Sequence, residues 1–271
     1  MHSFDSSDGN AAYGALIQAA NGKLYGTTNQ GGANGYGTIF EITPEGALTT
    51  LRNFDSTDGA YPYAGLIQAT NGGIYGTTYD GGAHGYGTIF RVTPEGLTTL
   101  HSFIPSDGVH PYAPLVQATD GNFYGVTAHG GANGDGTIFR MAPDGRLKTL
   151  YSFDSKGASE GGLTQGTDGN LYGTTFAGGP DNGGTVFRLS VGLGPFVKTL
   201  PSSGSAGAVI NILGTNLSGA TSVEFNGTAA AFTIVSSTQI TATVPAGAAA
   251  GEVQVTTPDG TLSSSVAFRV L

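Results

Sequence analysis

The residues of this chain able to move a proton or hold a cation fall at corresponding points of a repeated sequence. Asp80 and His129 stand at one such point, His84 at a second, and Tyr86 and Asp135 at a third. Imidazole, carboxylate and phenol in one place are the parts of a general acid–base site, with His84 or His129 as base and Tyr36 or Tyr86 donating to a developing negative charge. Asp80 belongs to the same candidate catalytic set, and the chemistry implied is that of a hydrolase or lyase acting on a saccharide or ester. Asp80 and Asp135 are also oxygen donors suited to Ca²⁺, which takes roughly six to eight of them. Ca²⁺ is therefore the candidate cofactor, although neither an EF-hand nor a calcium-binding nonapeptide spacing occurs. His110, beside Pro111 and Tyr112, is a third histidine of the same region. His2 and His101 stand where other copies have Arg52 and Tyr151, and read as surface or packing residues.

Flat rings accompany these groups. Tyr13, Tyr36, Tyr61, Tyr63, Tyr79, Tyr86 and Tyr112 lie in the same connecting segments, and aromatic faces beside carboxylates and amides suit sugar rings. A saccharide is the expected ligand class, with bracing of the loops by Tyr13, Tyr63 and Tyr112 as the plainer alternative. The pairs Asp8-Gly9, Asp58-Gly59 and Asp107-Gly108 read as turn formers ahead of metal ligands. No Ser-His-Asp signature, G-x-S-x-G elbow or zinc-type histidine pair is present in convincing context. The Gly-Gly-Ala-x-Gly strings are not nucleotide cradles, because no helix follows them.

The elements that must position these groups are strands. Tyr25, Tyr75, Tyr124 and Tyr172 come into register at spacings of 50, 49 and 48 residues. Each copy holds four strand-sized runs rich in β-branched and aromatic residues; in the second copy they are Leu66 to Thr70, Ile74 to Tyr79, Gly87 to Thr93 and Leu97 to Phe103. Asn21-Gly22, Asn71-Gly72, Asp120-Gly121 and Asp168-Gly169 supply hairpin turns between first and second strands. Pro44-Glu45-Gly46 and its counterparts do the same between third and fourth. In such an antiparallel unit the tight turns share one side, and the long connections that carry the acid–base residues share the other.

Four antiparallel strands at this period predict an all-β, β-propeller-like array of four four-stranded blades. In copy four Leu189-Ser190-Val191-Gly192 replaces the Pro-acid-Gly turn, so that blade is expected to lack its last strand. Met1 to Phe4 is an orphan last strand that would complete it and close the ring; the other route is a homodimer completing a larger, eight-bladed propeller. Met1 runs directly into a phrase of mid-repeat type, so upstream sequence is expected.

The string L-x-Q-A-x-[DN]-G-x-[LIF]-Y-G-T-T, followed by G-G-A-x-G-x-G-T-I-F, resembles the Gloeo/Verruco (GloVer) repeat across residues 1–189, in four successive copies. The resemblance implies a bacterial choice-of-anchor tandem repeat protein, extracellular or at the cell surface. From about Gly194 the period ends, which gives expected domains of 1–193 and 194–271. The later segment has short alternating strands. There Gly214-Thr215-Asn216-Leu217, Val223-Glu224-Phe225-Asn226-Gly227 and Thr257-Pro258-Asp259-Gly260 resemble the IPT/TIG family, which implies an immunoglobulin-like sandwich used as a spacer or docking module.

Composition narrows the partners. A formal net charge of −9, with Lys198 and Arg269 the only basic residues after Arg188, leaves no electrostatic footprint for nucleic acid. No run approaches the roughly 18 apolar residues of a membrane span. The chain has no Cys and hence no disulfide framework. A polysaccharide or small-molecule ligand is the partner that these features leave.

Overall fold

The computed structural model describes residues 2–154 and 160–271. Two compact units divide the chain, Met1–Thr164 with Tyr172–Phe187 in the first and Gln165–Leu171 with Arg188–Leu271 in the second. Among the described residues the one helical element is a single 3₁₀ turn, Leu217–Gly219.

Four small sheets follow one another along the repeats. The first holds β1 (Ile17–Gln18), β2 (Leu24–Thr28), β3 (Thr38–Ile42) and β4 (Leu48–Asn53). The second holds β5 (Ile67–Gln68), β6 (Ile74–Thr78), β7 (Thr88–Thr93) and β8 (Gly96–Ser102). In the third are β9 (Val116–Gln117), β10 (Phe123–Thr127), β11 (Thr137–Met141) and β12 (Leu147–Ser152). The fourth consists of β13 (Thr164–Gln165), β14 (Leu171–Thr175) and β15 (Thr185–Leu189). Strands pair in chain order in every sheet, antiparallel throughout the first three.

The fourth sheet has three strands, the last one missing as the altered turn implies. The expected rescue by the N-terminal segment does not occur: residues 2–4 form no strand. Phe4 instead meets Phe40 edge-on at 5.3 Å, repeating the pairs Phe54–Phe90 and Phe103–Phe139, both at 5.4 Å. The segment is held by the ring socket of its own repeat.

The Thr-Ile-Phe runs are continuous rather than alternating because each interior sheet is covered on both faces. Ala19, Tyr25 and Ile39 of the first repeat share one buried cluster with Phe54, Leu66, Ile74, Phe90 and Val92 of the second. Ala69, Tyr75 and Ile89 meet Phe103, Leu115, Phe123, Phe139 and Met141 of the third in the same way. Each sheet thus offers a tyrosine–isoleucine face to the phenylalanine face of the next. The glycine of Tyr-Gly-Thr makes room for this: a Cβ on Gly76 would lie 2.6 Å from both Leu66 and the Phe90 ring, and one on Gly125 2.5 Å from the Phe139 ring.

The second unit alternates cleanly. One sheet orders β16 (Lys198–Leu200), β18 (Val209–Leu213), β22 (Gln239–Thr243) and β21 (Phe232–Ser236). The other orders β20 (Thr228–Ala229), β19 (Ser222–Phe225), β23 (Val253–Thr257) and β24 (Gly260–Ser263). β17 (Ser203–Gly204) and β25 (Arg269–Val270) form a parallel pair beside them. Ile210, Ile212, Ile240 and Ala242 of the one sheet and Val223, Phe225, Val253 and Val255 of the other share a single core. Along β18, β19, β22 and β23 every second residue points outward, as a sheet buried on one face requires, whereas the edge strand β21 is exposed along most of its length.

Candidate functional site

The long connections of each repeat are tied together by backbone pairing. Residue 10 bridges Gln30, Ala60 bridges Asp80, and Val109 bridges His129. Beneath them a threonine pair is buried in each of the first three repeats, with hydroxyl oxygens 2.8 Å apart for Thr78–Thr88 and 2.9 Å for Thr127–Thr137. The outer hydroxyl then donates to the loop, from Thr88 to the Asp58 carbonyl at 3.2 Å and from Thr137 to that of Asp107 at 2.9 Å. These loops lie together on one side, where the strand order places them.

The Asp-Gly pairs are turn formers, and their carboxylates are engaged locally. Arg52 Nε donates to Asp58 at 2.6 Å, while His101 Nε2 lies 2.9 Å from Asp107 and His2 Nε2 lies 2.6 Å from Asp8. His2 and His101 are thus partners of the turn aspartates.

In the second and third repeats one residue joins neighbouring sheets. Ala11, Tyr61 and His110 occupy the same repeat position and adopt left-handed backbone, with φ of 57°, 55° and 56°. Non-glycine residues enter that region at a cost, so the surroundings must hold them there. The Tyr61 N–H donates to the Tyr36 carbonyl of the preceding repeat at 3.0 Å, and its carbonyl accepts from Tyr79 N–H of its own repeat at 3.1 Å. His110 repeats both bonds, to the Tyr86 carbonyl at 3.0 Å and from Ala128 N–H at 3.1 Å. This clamp carries the His110 side chain back over the second repeat.

There the ring meets four of the groups expected from the sequence. His110 stacks on Tyr79 with centroids 4.4 Å apart and planes 20° from parallel. Its Nδ1 lies 2.9 Å from Asp80 Oδ1 and 3.0 Å from the Tyr79 carbonyl. Both partners are acceptors, so the proton of a neutral ring sits on Nδ1 and the lone pair on Nε2. Tyr86 and His129 present their rings edge-on to His110 at 6.2 and 6.1 Å. Tyr63 and Tyr112 stack at 4.8 Å, Tyr63 also meets Tyr79 edge-on at 5.4 Å, and Tyr13 stacks on Tyr63 at 5.5 Å. Tyr13, Tyr63 and Tyr112 therefore do brace one another. Glu160 holds their position in the fourth repeat. Burial raises the phenol pKa of Tyr79, and the charge of Asp80, then Tyr63, Glu160 and Tyr112, add to the rise.

Asp80, Tyr86 and His129 are thus brought together, and the residue at their centre is His110, which the repeat comparison ranked behind His84. His84 itself is exposed at the loop tip and outside the cluster. Asp135 pairs through its backbone with Gly130 and does not join Asp80. Among the described residues no three His, Cys, Asp or Glu side chains gather as a metal site needs. Asp80, which contacts His110, and Asp135 are not drawn into one shared donor set among the described residues. The signal that would have found His110 was present in the sequence, as Ala11, Tyr61 and His110 differ at one point between otherwise similar flanks.

A model of the Gloeobacter/Verrucomicrobia repeat matches residues 1–187 and again residues 67–235. No curated protein matches the chain. Among solved structures it is similar to virginiamycin B lyase from Staphylococcus aureus, at TM-score 0.49 and 16% identity, over 96% of this chain and 70% of that one. The gluconolactonase XC5397 from Xanthomonas campestris gives TM-score 0.44 and 13% identity, over 85% and 71%. The extracellular domain of BT4673 from B. thetaiotaomicron, described as a hybrid two-component system, gives 0.46 and 15%, and this chain covers 67% of itself and 21% of that domain. Likeness at these scores carries no statement about activity.

Proposed function

The chain belongs to the Gloeobacter/Verrucomicrobia repeat family, and on that premise we propose that it is a secreted or cell-surface bacterial binding protein that recognises a saccharide. The ligand is held at the junction of the second and third sheets. One observation carries the reading: Tyr112 is stacked by Tyr63 on one face only among the described rings, next to a cluster of His110, Asp80, Tyr79 and Tyr86. The Tyr112 ring, 39% exposed, takes the C–H face of a sugar, while His110 Nε2, Asp80 and the Tyr79 hydroxyl offer acceptors and a donor for its hydroxyls. With its raised pKa, Tyr79 keeps the proton it donates. The stacked sheets support a propeller-like array for residues 1–193. For 194–271, two four-stranded sheets on one core support an IPT/TIG, immunoglobulin-like spacer.

A glycan array followed by titration calorimetry on its strongest ligand tests this. Tyr112→Ala and His110→Ala should each weaken binding about tenfold or more, equivalent to roughly 1.4 kcal/mol, with melting temperature little changed. Absence of any bound glycan, or full affinity in Tyr112→Ala, would overturn it. A second reading, a hydrolase or lyase acting on a saccharide or ester, is favoured by the Asp80–His110 pair, a base oriented by a carboxylate. It requires turnover that His110→Ala abolishes; retained turnover would remove it.

A further inference from the structure

The stack of loop tyrosines ends in a carboxylate. Tyr13 stacks on Tyr63 at 5.5 Å and Tyr63 on Tyr112 at 4.8 Å, one ring from each of three successive repeats. Glu160 takes the same position in the fourth repeat and is exposed. Tyr79 stands edge-on to both Tyr63 and Tyr112, at 5.4 and 6.2 Å, and the charges of Asp80 and Glu160 both act on its phenol. Two carboxylates from different repeats therefore converge on one group of phenol rings.

The fixed charges of this group share one sign. Asp80 has the His110 imidazole as its ion partner, and among the described residues no lysine or arginine pairs with either Asp80 or Glu160. With its proton on Nδ1, the neutral imidazole keeps a lone pair on Nε2 and adds an acceptor. Lys23, Arg52 and Arg146 are engaged elsewhere, by Glu41, Asp58 and Asp144. Arg91 and Arg140 lie across from Tyr75 and Tyr124, at the tight-turn end of their sheets. Ring faces carry the negative side of the aromatic quadrupole, so rings and carboxylates favour the same ligand charge.

Resting on the saccharide reading above, we propose that the sugar recognised here bears a protonated amine, which lies against the Tyr112 ring and beside the Glu160 carboxylate. Its N–H groups donate to the carboxylate while the ring face attracts its charge. Acetylating the amine removes that charge, and a uronic acid meets charge of its own sign. An amino sugar is therefore selected over N-acetylated and acidic sugars of the same size.

The test is a glycan array read with the whole 271-residue chain near physiological salt, followed by calorimetry on matched pairs that differ only in N-acetylation. The strongest ligands should carry free amines, each binding at least about tenfold more tightly than its acetylated partner. Glu160→Gln, at an exposed position, should narrow that gap to about threefold or less. Neutral or acidic sugars as the strongest ligands, or equal affinity within a matched pair, would overturn the amine preference and leave the saccharide site standing. A gap that survives Glu160→Gln would assign it to the net charge of −9 and overturn the proposed position as well. An array with no ligand at all would instead remove the saccharide reading itself.

Discussion

The third and fourth repeats share a sequence pattern and differ in what surrounds them. Phe139 is fully buried beneath the site of Gly125, while Phe187, over the matching Gly173, is part-exposed. Thr127 and Thr137 form a buried hydroxyl pair at 2.9 Å, and Thr175 and Thr185 form the same pair at 2.9 Å in an exposed setting. Identical local bonds thus sit in two dielectric environments. The difference teaches that the repeat encodes a sheet with two faces, and that burial, with any chemistry needing it, arises only where another sheet arrives. The His110 cluster is an instance: His110 comes from one repeat and Tyr79 and Asp80 from the one before.

The largest break in this comparison should come from the rings. Phe139→Ala removes a fully buried phenyl and should cost about 3–5 kcal/mol in urea unfolding, with Phe187→Ala costing roughly half of that or less. Equal losses would mean that the fourth sheet is as tightly covered as the third. Next come the hydroxyl pairs. In Thr127→Val the Thr137 N–H and the His129 carbonyl lose their partner in the interior, a loss of about 1–3 kcal/mol. Thr175→Val breaks the matching bonds where water replaces them, and should cost less than about 0.5 kcal/mol.

A further effect is confined to alkaline pH. Burial and the hydrogen bond to Asp120 push the phenol of Tyr124 up to about 12 from its ordinary value near 10.0. A raised pKa favours the protonated form in the folded state. Its stabilisation is therefore intact below pH 10 and is lost as pH climbs toward 12. Tyr124→Phe should flatten that part of the stability curve; an unchanged alkaline slope would assign it to other groups.

Much of this architecture could be read from spacing alone. The period, the Asn-Gly and Pro-acid-Gly turns and the missing last strand of the fourth sheet follow from local turn chemistry, which acts over a few residues. Asp80 and His129 were legible because they break the repeat, whereas Tyr86 repeats Tyr36. The variation among Ala11, Tyr61 and His110 marked the position of His110, but its placement over the second repeat depends on a left-handed residue bonded to two different repeats, a long-range constraint that spacing does not reveal. His84 stands at an exposed loop tip outside this cluster, where variation between copies meets little packing constraint. The docking of Phe4 on Phe40 was hidden in the same way, as a strand-like sequence was captured by a ring socket of its own repeat.

The central claim, that His110 and its neighbours form one ligand site across two repeats, is tested most directly by NMR. Imidazole and tyrosine ring signals would be followed as the array-selected saccharide is added. The account expects the largest shifts at His110, Tyr79 and Tyr112, smaller ones at Tyr86 and His129, and none at His84. Shifts centred on His84, or spread over the second unit with His110 unmoved, would contradict it.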